Sequence, residues 1–108
     1  MGLLSGKYLD GATPDNSRKQ LLGGSMGRET DAARSAIKGY VGIARRHGLD
    51  PSQMAIAFTL ARPFTTASII GASRMDQLKT AIDAAYVELS DEVMSQIADV
   101  HRAHPMPY

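Results

Sequence analysis

The sequence predicts a mainly α-helical chain with one short β-strand. Three observations lead there. Four stretches open on a residue able to cap a helix and then carry apolar side chains at helical spacing. One short apolar run, Ala67-Ser-Ile-Ile70, reads as the strand. A stretch over residues 10–29 is rich in Gly, Pro, Asp, Asn and Ser and shows a period of neither 2 nor 3.6. It reads as a long loop, which inside a compact domain is either functional or disordered.

Residues 1–9 make an exposed-looking start, Met-Gly-Leu-Leu-Ser-Gly-Lys-Tyr-Leu. The first helix is expected over 31–47, capped by Thr30 or Asp31. Ala33, Ile37, Tyr40, Val41 and Ala44 form its buried stripe. Arg45, Arg46 and His47 suit the negative end of the helix dipole, and Gly48 stops the helix. The second helix is expected over 51–62. Asp50 caps it, Pro51 fits the first turn, and Gln53 can reach back as in a capping box. Its run from Met54 to Ala61 is apolar almost all round, so cover is needed on several sides. Arg62-Pro63 ends it. After the strand at 67–70, Ser73 is expected to cap a helix over 74–86, with Met75, Leu78, Ile82 and Ala85 inward. Ser90 lies in the capping segment of a last helix over 91–103, with Val93, Ile97 and Val100 inward and acidic residues in the first turn. The tail from Ala103 to Tyr108 carries two prolines and cannot stay helical.

A chain of 108 residues allows one domain at most. Twelve basic and 11 acidic residues leave a net charge of +1, without a nucleic-acid stripe or a polybasic membrane patch. Cysteine is absent, which excludes disulfides, Cys-ligated zinc and thiol nucleophiles. No run approaches the roughly 18 apolar residues of a membrane span, and the start is too short for a signal peptide. A cytoplasmic location is expected. A lone strand leaves both edges unpaired, and the second helix wants more cover than four helices supply. Both points argue for a fragment or an oligomer.

The stretch Ser68-Ile-Ile-Gly-Ala-Ser-Arg-Met-Asp-Gln77 carries the most chemistry. A strand runs into Gly71, then a capping Ser, an Arg and a polar first helical turn. Backbone N–H groups and the dipole at a helix start favour an anion. Arg74 adds a planar fork of donors suited to phosphate.

In order along the chain, Gly2-Leu-Leu-Ser-Gly-Lys-Tyr8, Pro14-Asp-Asn-Ser-Arg18, the helix pair at Tyr40-Val-Gly-Ile-Ala and Asp50-Pro-Ser-Gln-Met-Ala, Ile70-Gly-Ala-Ser-Arg-Met-Asp-Gln-Leu78 and Leu89-Ser-Asp-Glu92 resemble the C-terminal part of an aldo-keto reductase. The resemblance covers most of the chain. No single piece is diagnostic; the ordered set is quite specific. It implies a C-terminal fragment of a (β/α)8 TIM barrel, whose complete form takes about 250 residues. Residues 1–108 would then be a single partial domain, with the long loop at 10–29.

The resemblance also implies a cofactor site. Gly71, Ser73 and Gln77 match residues around the adenosine 2′-phosphate end of NADPH, and Arg74 sits where it could reach the same phosphate. Lys7 and Arg18 match basic residues that contact the cofactor from the other side. Thr80-Ala81 stands where the family often has an Asn touching adenine. Taken singly, Ser73 does no more than cap a helix, and the basic residues are solvated charges. Taken together in family order, they favour NADP(H).

Catalysis in that family uses an Asp, a Tyr, a Lys and a His from the first half of the barrel. The Tyr protonates the carbonyl oxygen as hydride arrives, with its acidity tuned by a nearby cation. Tyr8, Tyr40, Tyr86 and Tyr108 do not match it, so no catalytic residue is assigned here. The chain belongs to an oxidoreductase family by resemblance and is expected to be inactive alone. His101 and His104 stand three apart, but structural zinc wants four ligands. A solvated helix end explains them better, and likewise His47. The six Met residues read as core fillers.

The leading reading is therefore part of an NADP(H)-dependent carbonyl reductase. Its expected partners are the nicotinamide cofactor, held weakly, and either a second copy or the missing barrel half. No nucleic acid and no membrane are expected. The alternative is a non-enzymatic helical module that oligomerises through exposed apolar faces. A helical nucleic-acid binder is disfavoured by the balanced charge.

Overall fold

The computed structural model describes residues 2–23 and 29–107. Gly24, Gly27 and the rest of 24–28, within the expected loop, lie outside the described residues. Among the described residues five helices follow one another: α1 (Arg18–Leu21), α2 (Asp31–Arg46), α3 (Pro51–Leu60), α4 (Met75–Asp83) and α5 (Asp91–Ala103). Single 3-10 turns precede α1 at Leu3–Ser5 and follow α4 at Ala84–Tyr86.

Local sequence sets most helix starts. The Thr30 hydroxyl accepts from the Ala33 N–H, Asp50 Oδ1 accepts from the N–H groups of Ser52 and Gln53, and Ser90 accepts from the Val93 N–H. Each satisfies donors that a first helical turn leaves free. Gln53 closes no capping box. Its Nε2 donates instead to the Thr80 carbonyl, 3.1 Å away, and ties α3 to α4. Gly48 ends α2 at φ +67°, where the Leu49 N–H turns back onto the Ala44 carbonyl.

The core lies where α2, α3 and α5 meet: Ile43, Ala44, Met54, Val93 and Ile97 are buried together. Gly39 lets α5 come close to α2. A Cβ on it would stand 3.0 Å from a methyl of Val100. The expected stripe of α2 holds at Ala33, Ile37, Val41 and Ala44, and it also takes in Ala36 and Ile43. Tyr40 is half-buried.

Four expectations are corrected. The run Ala67–Ile70 forms no strand, and no strand occurs among the described residues. A strand needs a neighbour to receive its backbone hydrogen bonds, and none is present. Ile69 is instead 100 % exposed. The N-terminal segment is not exposed throughout: Tyr8 is buried at 4 % exposure. The expected inward face of α4 is not buried either. Met75, Ile82 and Ala85 are exposed and Leu78 is only partly covered, because α4 packs on one side alone, against α3 and the following 3-10 turn. The 10–29 stretch is not irregular throughout, since Arg18–Leu21 makes one helical turn capped by Ser17.

Candidate cofactor site

The segment from Gly71 to Gln77 does not form by the expected cap. Arg74 occupies the N-cap position of α4 and makes no side-chain cap bond. Gln77 organises the turn instead. Its Oε1 accepts from both the backbone N–H and the hydroxyl of Ser73, at 3.2 and 3.3 Å. The Ser73 hydroxyl therefore serves as a donor to Gln77, which is the correction to its expected role as a helix cap.

Arg74 is already paired. Its Nε reaches Asp76 Oδ1 at 3.0 Å and one Nη reaches Oδ2 at 2.6 Å, so fork meets fork. Both side chains are exposed. The Arg74 guanidinium, bonded to Asp76, holds that carboxyl below the ordinary carboxylate value. The pair was not visible as a pair in the sequence. The available signal was opposite charges two residues apart across a helix start.

A cavity of about 740 Å3 opens beside this turn. Lys7, Tyr40, Ile70, Gly71, Asp76 and Gln77 all contribute to its wall. Thus three of the six predicted cofactor residues, Lys7, Gly71 and Gln77, face one space although more than 60 residues separate the first from the others. Ser73 and Arg74 stand just outside, joined to the wall residues Gln77 and Asp76. Arg18 begins α1, is exposed, and is not part of the wall. Gly2 and Pro107 both contribute to the same wall. Burial pushes the Tyr40 phenol above its ordinary value.

The segment that carries Lys7 is anchored through its neighbour. Lys7 Nζ and Lys19 Nζ lie 5.1 and 5.7 Å from the centre of the Tyr8 ring, within cation–π range. Lys19 is itself nearly buried and paired with Glu29 at 2.8 Å. An ammonium so enclosed needs that carboxylate, since an unpaired buried charge is strongly unfavourable.

Among the described residues no three His, Asp or Glu side chains gather as a metal site, and no helix is long and apolar enough to cross a membrane. His101 and His104 lie at the end of α5 and just beyond it.

Comparison with known proteins decides the family. The family model described as "Aldo/keto reductase family" matches residues 1–102. The chain belongs to the aldo/keto reductase family. It is 44 % identical over 106 residues to "Protein tas" of Escherichia coli K12, covering 98 % of this chain and 31 % of that protein. It is 32 % identical to "L-glyceraldehyde 3-phosphate reductase" of E. coli O157:H7, with 94 % and 31 % covered. It is 30 % identical to "Putative voltage-gated potassium channel subunit beta" of Schizosaccharomyces pombe, with 97 % and 32 % covered. The chain thus spans about a third of the length of these aldo/keto reductase relatives.

Proposed function

We propose that this chain is the cofactor-holding C-terminal part of an NADP(H)-dependent aldo/keto reductase, and that it does not reduce carbonyl compounds by itself. The parent reaction is reversible hydride transfer between NADP(H) and a carbonyl or alcohol. A relative named as a reductase of an aldehyde phosphate is in line with that class. The observation that carries the reading is the shared cavity of Lys7, Gly71 and Gln77. A helix start and the Arg74 guanidinium stand at its edge, and the Gln77 amide, the Asp76 carboxylate and the Lys7 ammonium belong to residues of its wall. That set fits a phosphorylated adenosine better than any neutral ligand. The proton donor of the reaction is assigned to no residue of this chain.

Charge-assisted contacts of this type contribute about 1.5–3 kcal/mol. NADPH is therefore expected to bind at least roughly tenfold more tightly than NADH, with weak affinity overall. Calorimetric titration of the purified chain with both cofactors tests this. Arg74→Ala should erase the preference and leave NADH binding unchanged. Equal binding of both cofactors before the substitution sinks the 2′-phosphate assignment. Robust aldehyde reduction by homogeneous chain sinks the claim of inactivity.

The second reading is a helical module that oligomerises. It is favoured by exposed apolar side chains: Ile69 at 100 %, Tyr86 at 84 %, Phe64 at 83 % and Met75 at 77 %. In the first reading these are covered by the rest of a TIM barrel, or by a second copy when that is missing. A module of the second kind shows no preference between the two cofactors.

A further inference from the structure

We propose that Asp76 sets how strongly this site selects a 2′-phosphorylated adenosine, by holding Arg74 in an internal ion pair that the phosphate must loosen. The inference rests on the 2′-phosphate reading above and deepens it.

Three observations place Asp76 in that role. Its two carboxylate oxygens take the Nε edge of the guanidinium at 3.0 and 2.6 Å, the same edge-on geometry a phosphate seeks. Asp76 is part of the cavity wall, whereas Arg74 is not, so the pair draws the cation to the rim. The chain supplies no further charged partner to Arg74 among the described residues, so Asp76 is its one recorded competitor. Asp76 also sits in the first turn of α4, where the helix dipole favours a negative charge. An arriving phosphate wants that same turn. The carboxylate therefore opposes it twice, once by occupying the fork and once by its own charge.

Asp76 is a positioning residue, acting on the ligand mainly through Arg74. Both side chains are well exposed, so solvent screens the pair and the expected effect is moderate. Asp76→Asn keeps the shape and removes the charge. Its backbone carbonyl, which accepts from the Thr80 hydroxyl at 2.9 Å, is untouched. Asp76→Ser is a second variant compatible with a helix start, and circular dichroism confirms that each variant folds as the parent does.

The probes are adenosine 2′,5′-bisphosphate and adenosine 5′-monophosphate, titrated into the whole chain. The bisphosphate is expected to bind Asp76→Asn and Asp76→Ser about three- to fivefold more tightly than the parent. The monophosphate should change by less than about twofold. In an Arg74→Ala background the gain should largely vanish, because the effect runs through that side chain. An unchanged bisphosphate affinity in both Asp76 variants overturns the inference. So does an equal gain with and without Arg74, which would reduce Asp76 to a generic repulsive charge. If Arg74→Ala alone leaves bisphosphate binding intact, the 2′-phosphate reading itself fails, and the inference falls with it. That outcome is distinct from the first two.

Discussion

Two regions of this chain handle their apolar side chains in opposite ways. Where α2, α3 and α5 meet, Ile43 is 1 % exposed and Ala44 is fully covered. From Phe64 through α4 to Tyr86, Phe64, Ile69, Met75, Ile82 and Tyr86 stand in solvent and Leu78 is only partly covered. Both regions have comparable apolar patterns in sequence. The difference lies in what stands opposite. α2 has α5 across from it, brought close by Gly39, while α4 touches the rest of the chain on one side only. Periodicity states that a face wants burial; the fold decides whether anything is there to bury it.

The largest expected effect contrasts the two regions directly. Ile43→Ala should destabilise the chain by about 2–5 kcal/mol, since it empties a fully packed position. Ile82→Ala on α4 should stay within about 0.5 kcal/mol. Chemical denaturation of both variants checks this. Equal losses would mean that α4 is buried in solution, by self-association or otherwise. Gly39→Ala tests the tight side of the comparison. It gains helix propensity but pushes a Cβ to 3.0 Å from Val100, so a net loss of about 1–2 kcal/mol is expected. A gain in stability would show that α5 can move away freely.

The exposed region should also report itself by concentration. Contiguous apolar patches above a few hundred Å2 mark interaction surfaces. Sedimentation should reveal reversible association at tens of micromolar, reduced by polar substitution of Ile69 and Phe64. A clean monomer would break the comparison. The smallest effect is one of titration. Asp76 should lose its charge at a lower pH than an ordinary aspartate, because the Arg74 fork stabilises the carboxylate. Its pairing is thus intact above the ordinary carboxylate value and is lost only as pH falls through the lowered one. Carboxyl carbon chemical shifts followed through acid read this out.

What the sequence made legible was local. Thr30, Asp50 and Ser90 announce helix starts because a cap needs only neighbours within three residues. Gly48 announces a stop for the same reason. The aldo/keto reductase relationship was legible from the order of short motifs. The failures at the level of the fold were non-local. Ala67–Ile70 has the composition of a strand, yet pairing depends on partners the pattern does not name. Tyr8 is buried where Lys19, ten or more residues along and paired with Glu29, comes over its ring. At the candidate site, Gly71, Gln77 and Lys7 were proposed from family order, and the fold brings them to one cavity wall. Asp76 was missed because a fork between two exposed side chains leaves no periodic trace. Ser73 was given the commonest task of a serine before a helix, and Gln77 took that place by reaching backward.

That Gly2 and Pro107 both line the cavity has a practical side. Anything tethered to either end of the described chain is kept beside the cavity at an effective concentration that reaches millimolar for short flexible linkers. A polyhistidine tag there would sit near the proposed cofactor site, and an acidic tag would compete with an anion for it. Which end carries a fusion, and what charge it bears, is therefore a variable to control in every titration that tests the proposal.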